Sequence, residues 1–254
     1  MINRAFENHL EWLALHRAEI TESSDTISFK SEHPEFQYVI LKTTSDFAKA
    51  TLGQSAVRIL PWSGDWDKEL KAAGYTLKDS GCLNYMTLQA DLRASLPVTR
   101  AVREEYFREF EIVEVESVAQ LKAFNQVCLR SFIEDPTERA RNGSFFSRAN
   151  TKNVGSSFQK FFIGLSQGEP VSCLNTLSYR GTVGIYGVGT LPESRGRGFS
   201  SNLLNHAIDD ARLSGCDLVT LQVRKDSGAE CLYEKLGFKV QGVNLYYSRT
   251  FSTS

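Results

Sequence analysis

The chain has 254 residues, with 29 Lys and Arg balanced by 30 Asp and Glu and an apolar fraction of 41%. A net charge of −1 gives no overall attraction to nucleic acid or to an anionic membrane surface. The length suits two small domains that can bury cores without staples. The cysteines Cys82, Cys128, Cys173, Cys216 and Cys231 are scattered without CxxC spacing, which argues against a disulfide framework or a zinc site.

Glu7, His9 and Glu11 interrupt the N-terminal segment where a signal peptide needs an apolar core. No segment approaches the run of about 18 apolar residues that spans a membrane. His9, His16, His33 and His206 fall at no ligand or triad spacing. The expectation is a reduced, cytoplasmic protein without a metal.

In chain order, the spacing of Ile2, Phe6, Leu10 and Leu13 predicts a helix from Ile2 to about Glu19. Strand-like runs follow from Thr26, Phe36 and Ala56. A short helix from Asp65 stops at Gly74, and the run after it reads as one strand or as two joined at Asp79 to Gly81. Ala90 to Glu111 is charged, contains Pro97, and reads as a connecting segment. A strand from Phe110 leads to a helix N-capped by Ser117, with Val118, Leu121, Phe124, Cys128 and Phe132 as its apolar face. Ile133 to Lys152 is polar and reads as loop with at most a short helix. Three strands from Phe158, Val171 and Thr182, joined by turns at Gln167–Pro170 and Arg180–Thr182, form an antiparallel meander.

The meander feeds the segment with the clearest chemistry. A strand ending near Thr190 passes through Leu191–Pro192–Glu193–Ser194 into Arg195–Gly196–Arg197–Gly198, and a helix follows. Phe199, Leu203, Leu204, Ala207, Ile208 and Ala211 recur at helical spacing in it. A glycine-rich loop opening a helix offers unpaired backbone N–H groups and the positive end of the helix dipole to an anion. Arg195 and Arg197 add charge at its rim, and Gly187 and Gly189 in the strand mark a bulge or the close approach of a ligand. The loop alone also fits a plain strand-to-helix turn. A dinucleotide fingerprint fits poorly, because Ser201 replaces its third glycine and Asp217 begins the next strand instead of ending it. A P-loop lacks its G-K-[ST].

The stretch VGTLPESRGRGFSSNLL resembles the acetyl-CoA motif of the GNAT superfamily of N-acetyltransferases, R/Q-x-x-G-x-G/A after a strand and a proline. The later helix, DSGAECLYEKLGF, is similar to that family's N-x-x-A-x-x-L-Y-x-K-x-G-F. Ser200 stands where the family usually has Gly or Ala, and Asp226 where it often has Asn.

This resemblance implies an α+β fold with a mixed, mostly antiparallel sheet flanked by helices over residues 110–254. It implies acetyl-CoA as co-substrate. Val188, Gly189 and Thr190 would bind the pantetheine arm. Arg195, Gly196, Arg197, Gly198, Phe199, Ser200 and Ser201 would hold the pyrophosphate, with Asp226 beside the cofactor. Tyr233 would be the general acid that protonates the leaving thiolate. The acceptor would be a small-molecule or protein amine, with no nucleic acid and no membrane as partner. A non-catalytic acyl-CoA-binding regulatory module is the alternative. No general base can be read out. Glu134, Asp135 and Glu138 lie where similar proteins line the acceptor site, though a solvated loop explains them as well.

The run from Lys68 repeats the plan of the run from Leu232: short helix, Gly-aromatic step, strand. Leu70 takes the place of Tyr233, and no glycine-rich loop precedes it. Residues 1–95 are therefore expected to be a degenerate, non-catalytic α/β subdomain of the same type, joined through 96–109 to the domain at 110–254; the alternative is that helix–Gly–strand units are common and the likeness is accidental.

Overall fold

The computed structural model describes residues 1–42, 46–89 and 110–250. The expected connecting segment 96–109 lies outside them. The chain forms two compact units. Among the described residues, one unit gathers Met1–Phe6, Leu13–Thr87 and the residues from Gln222 on; the other gathers Glu7–Trp12 and the residues up to Leu221. Seven helices, α1 (Ile2–Ala14), α2 (Phe47–Thr51), α3 (Asp67–Ala72), α4 (Val118–Phe132), α5 (Pro136–Thr151), α6 (Phe199–Leu213) and α7 (Gly228–Lys235), are described. They alternate with strands β1 (Glu19–Glu22), β2 (Thr26–Lys30), β3 (Tyr38–Leu41), β4 (Ala56–Ile59), β5 (Thr76–Leu77) and β6 (Leu83–Gln89). The later strands are β7 (Phe110–Glu114), β8 (Gln159–Ser166), β9 (Glu169–Tyr179), β10 (Thr182–Thr190), β11 (Leu218–Arg224) and β12 (Lys239–Ser248).

In the first unit, β1, β2 and β3 form an antiparallel meander. The connection through α2 then brings β4 parallel to β3, as a crossover requires. The strand β12 pairs antiparallel with β4 through Leu245–Ser248, with β5 through Tyr247–Ser248, and with β6 through Lys239–Asn244. Val39, Leu41, Val57, Ile59, Leu70, Tyr75 and Tyr247 form its buried core. α1 ends at Ala14, short of the expected Glu19. His16 adopts a left-handed φ of 63°, and Glu19–Glu22 pairs with β2 as a strand instead. The run after Gly74 is two strands, separated by a 3₁₀ turn at Asp79–Gly81.

In the second unit, β7, β8, β9 and β10 form the expected antiparallel meander. β11 runs parallel to β10, pairing Leu218–Leu221 with Thr182–Ile185. Both tight turns place a left-handed residue before a left-handed glycine: Gln167 (54°) and Gly168 (81°), then Arg180 (47°) and Gly181 (72°). This is the pattern that matches strand twist in two-residue hairpins.

α4 covers one face. Its Leu121, Phe124 and Val127 pack with Phe161, Ile163, Cys173 and Leu191. Ser117 and Gln120 close a capping box at its start. The expected apolar face is rotated, because Val118 and Phe132 are each 61% exposed. α6 buries Phe199, Leu203, Leu204, Ala207, Ile208 and Ala211.

The segment read as loop from Ile133 to Lys152 holds a helix of 16 residues, α5. Asp135 caps it and Pro136 occupies its first turn, where the missing N–H costs nothing. It buries only Ala149 and Asn150, the latter donating to Asn125 Oδ1 at 2.9 Å. So polar a helix leaves little apolar periodicity to read.

Within this unit a buried polar chain links α1 to the meander. Asn8 donates to the carbonyls of Leu177 and Thr182 at 3.0 and 3.1 Å and accepts from Tyr186 Oη at 2.6 Å. A Cβ at Gly184 would collide with Asn8 Oδ1 and the Tyr186 hydroxyl. Gly184→Ala is therefore expected to cost about 1–3 kcal/mol by overpacking. Thermal and denaturant unfolding of the full chain check this, and an unchanged midpoint would contradict the packing described.

Candidate functional site

The last third of β10 departs from regular pairing. Tyr186 opposes Asn175 and Gly189 opposes Cys173, so two residues of β10 face one of β9. This is a β-bulge, and Gly187 takes a φ of 60° within it. The freed carbonyls find side-chain donors on β9. Asn175 Nδ2 donates to Tyr186 O at 3.1 Å, and Cys173 Sγ donates to Gly187 O at 3.5 Å. Burial pushes the Cys173 thiol up, keeping it a donor. Gly189 has a different reason to be glycine. A Cβ there would lie 2.7 Å from Ser131 Oγ and 2.8 Å from Ser131 Cβ, so the close approach is made by α4.

Beyond β10, the Leu191 amide bonds to Val171 O at 2.9 Å and a 3₁₀ turn spans Pro192–Ser194. Arg195 then folds back. Its Nη2 donates to Ser131 O at 2.8 Å and its Nε to Thr190 O at 3.3 Å. Its guanidinium therefore braces the loop as well as charging it. Gly196 and Gly198 have φ of 76° and 82°. A Cβ at Gly196 would meet nothing within 4 Å, so glycine is needed there for the backbone and not for room.

Gly198 is the N-cap of α6, and the helix start has no side-chain cap and no acidic residue in its first turn. The first amide to find a helical acceptor is Asn202, to Gly198 O at 3.1 Å. Among the described residues the amides of Gly198, Phe199 and Ser200 have no acceptor. Three outward N–H groups at the positive end of a 15-residue helix make an anion seat. Arg197 is exposed at this loop. Phe199 is buried and stacks on Phe110 at 4.9 Å, anchoring the helix while only its backbone faces outward. The Ser200 hydroxyl bonds the Thr190 hydroxyl, tying the helix start to the strand end. Ser201, Val188 and Thr190 are half-buried.

Tyr233 and Asp226 belong to the first unit. Tyr233, on α7, is 6% exposed and meets Phe238 edge-to-face at 6.0 Å. Burial pushes its phenol up to about 12. Its hydroxyl has no hydrogen-bond partner among the described residues. Asp226 is exposed and left-handed, with φ of 58°. Its amide donates to Glu230 Oε2 at 2.7 Å, and Glu230 also accepts from Asn84. Asn and Asp tolerate this conformation better than other side-chain-bearing residues. The backbone thus explains an Asn-or-Asp position without any contact to a cofactor.

Sequence reading missed Asn175, Cys173, Ser131 and Trp12, which hold the bulge and loop from behind. The one available signal was the amide of Asn175 among the smaller polar and apolar residues of β9. Of the acidic trio near the expected acceptor site, Asp135 is committed to capping α5 through the Glu138 amide at 2.7 Å.

No curated protein matches the chain. Among solved structures, a GCN5-related N-acetyltransferase from Kribbella flavida is 13% identical, with 98% of this chain and 96% of that chain covered at a TM-score of 0.66. Another, from Sphaerobacter thermophilus, is 15% identical, covering 95% and 84% at 0.59. A tandem GNAT protein from the clavulanic acid biosynthesis pathway is 12% identical, covering 90% and 80% at 0.56. At these identities the likeness is one of fold. Residues 118–238, from the start of α4 to Phe238, match the model of the acetyltransferase (GNAT) family. Over this stretch the chain is similar to the GNAT acetyltransferases, a family that binds acetyl-CoA.

Proposed function

We propose that the chain is an acyl-CoA-dependent N-acetyltransferase that moves the acetyl group of acetyl-CoA to a primary amine by direct attack. The observation that carries this reading is the start of α6. Its amides are unpaired, no carboxylate of its own fills the seat, and the family match covers it. The pyrophosphate takes the amides of the Arg195–Ser201 loop, and the pantetheine arm takes the backbone of Val188, Gly189 and Thr190. The free cysteines fit a cytoplasmic, reducing compartment.

The amine nitrogen attacks the thioester carbonyl, the C–S bond breaks, and the amine's proton passes to solvent. Holding both reactants in one geometry supplies most of the acceleration. Tyr233 serves the departing thiolate. A thiol ionises near about 8.5, and a phenol raised to about 12 lies about 3.5 pKa units, or about 5 kcal/mol, above it. Complete proton transfer from Tyr233 is therefore uphill. The phenol acts as a hydrogen-bond donor to the developing thiolate, and solvent completes the protonation.

The N-terminal half is a degenerate copy of the same plan. Its meander β1–β2–β3, the crossover through α2 and the parallel β4 follow the order of β8–β9–β10, α6 and β11. It lacks the anion seat. Asp46 caps α2 by accepting from the Lys49 amide at 2.9 Å, so a carboxylate sits where a phosphate would need to be. At the place of Tyr233 it has Leu70, fully buried.

The direct test is release of CoA thiol from acetyl-CoA across a panel of primary amines. Tight binding with no turnover on any amine would turn the reading into a binding module. Gly198→Glu puts a side chain on a left-handed residue and a negative charge in the anion seat. Calorimetry should find its CoA affinity abolished, and wild-type affinity would refute the loop assignment. Tyr233→Phe should lower kcat about 10- to 100-fold with CoA affinity nearly unchanged. Because the raised phenol stays protonated until pH approaches about 12, kcat should not fall through loss of its proton between pH 7 and 10. An alkaline limb near pH 10 that disappears in Tyr233→Phe would contradict this.

A further inference from the structure

The bulge in β10 has a cost that β9 and α1 together offset. One extra residue in a strand leaves carbonyls without ladder donors and turns every later residue to the other side of the pleat. Without the bulge, Gly189 would not meet Ser131, and the backbone of Val188–Thr190 would present its groups in the opposite sense. Whatever holds the bulge therefore sets the direction of the amides assigned to the pantetheine arm.

Two side chains of β9 hold it, and they differ in strength. Cys173 Sγ is a weak donor to Gly187 O. Asn175 Nδ2 is a full amide donor to Tyr186 O at 3.1 Å. Asn175 is itself fixed from the other side. Its Oδ1 accepts from Trp12 Nε1 at 3.2 Å and from Gln159 Nε2 at 3.1 Å. Trp12 also stacks on the ring of Tyr186, with centroids 4.5 Å apart and planes within 10°. All of these groups lie in the second unit, to which α1 contributes Glu7–Trp12.

Asn175 is only 4% exposed. A buried amide persists where its partners would otherwise be orphaned. An apolar side chain at 175 would remove the donor to the Tyr186 carbonyl and the acceptor of the Trp12 indole and the Gln159 amide at once.

We propose that Asn175 is a positioning residue for bound acyl-CoA, locking the β10 bulge so that the backbone after it faces the pantetheine arm, and that Trp12 and Gln159 lock Asn175 in turn. This rests on the acyl-CoA reading above. It gives the N-terminal helix a part in cofactor binding that no motif records.

The test uses the full-length chain. Calorimetry with CoA should find Asn175→Ala about 10-fold weaker, and the KM for acetyl-CoA should rise in parallel, beyond any change in kcat. Trp12→Phe keeps a ring on Tyr186 but deletes the donor to Asn175, and should weaken CoA about 3-fold. Amide hydrogen exchange at residues 187–190, measured without ligand, should quicken in both. Trp12→Phe carries the test if Asn175→Ala does not fold. A lowered unfolding temperature with unchanged CoA affinity and unchanged exchange would show a merely structural role and overturn the inference. Wild-type binding of CoA is the separate control. Its absence would remove the acyl-CoA reading, while wild-type binding with unaltered variants removes this inference alone.

Discussion

The contact of Ser131 with Gly189 governs the geometry of the second unit. Because Gly189 has no side chain, the last turn of α4 descends onto the strand. That descent brings the Ser131 carbonyl within reach of Arg195, whose guanidinium spans from it to Thr190 O. The loop is thereby pinned to a helix and a strand at once. Its two left-handed glycines then need only redirect the chain into α6. A larger residue at 189 would lift α4, and the brace on the loop would go with it.

Past α1, which has no acid in its first turn either, the treatment of helix N-termini sets one helix apart. Asp46, Ser117, Asp135 and Ser227 cap α2, α4, α5 and α7 with their own side chains. α3 carries Asp67 and Glu69 in its first turn. α6 begins with a glycine, no side-chain cap and no acid. An uncapped start is destabilising on its own account, since a missing cap typically costs about 1 kcal/mol. The chain satisfies four other helix starts with ordinary polar residues and leaves the start of α6 without one.

Local rules were legible in the sequence. Gly74, Gly168, Gly181, Gly198 and Gly215 all adopt positive φ where turns, helix stops or a helix start were read. The α6 loop and the α7 helix stood out because their chemistry is compressed into short spans. α5 was missed because Asp135 and Pro136 announce a helix start, yet almost none of its residues are buried. The apolar face of α4 was misplaced because Val118 and Phe132 have apolar side chains but lie outside the core. Asn175 could not be assigned a role, since its partners Trp12, Gln159 and Tyr186 are far from it or on another strand. At Asp226, side-chain chemistry and backbone tolerance favour the same two residue types, and its left-handed φ is a backbone reason for either.

The placement of β12 also bears on how the chain is made. Residues 239–248 lie between β4 and β6, hydrogen-bonded to both. While a ribosome is still working through the middle of the chain, β4 and β6 have been synthesised but lack the strand that joins them. Two unsatisfied strand edges then stand open for as long as translation takes to cover some 150 residues, at about 5–20 residues per second. The N-terminal sheet is thus finished last, although it is made first. Conditions that slow elongation would lengthen the interval in which those edges can pair wrongly.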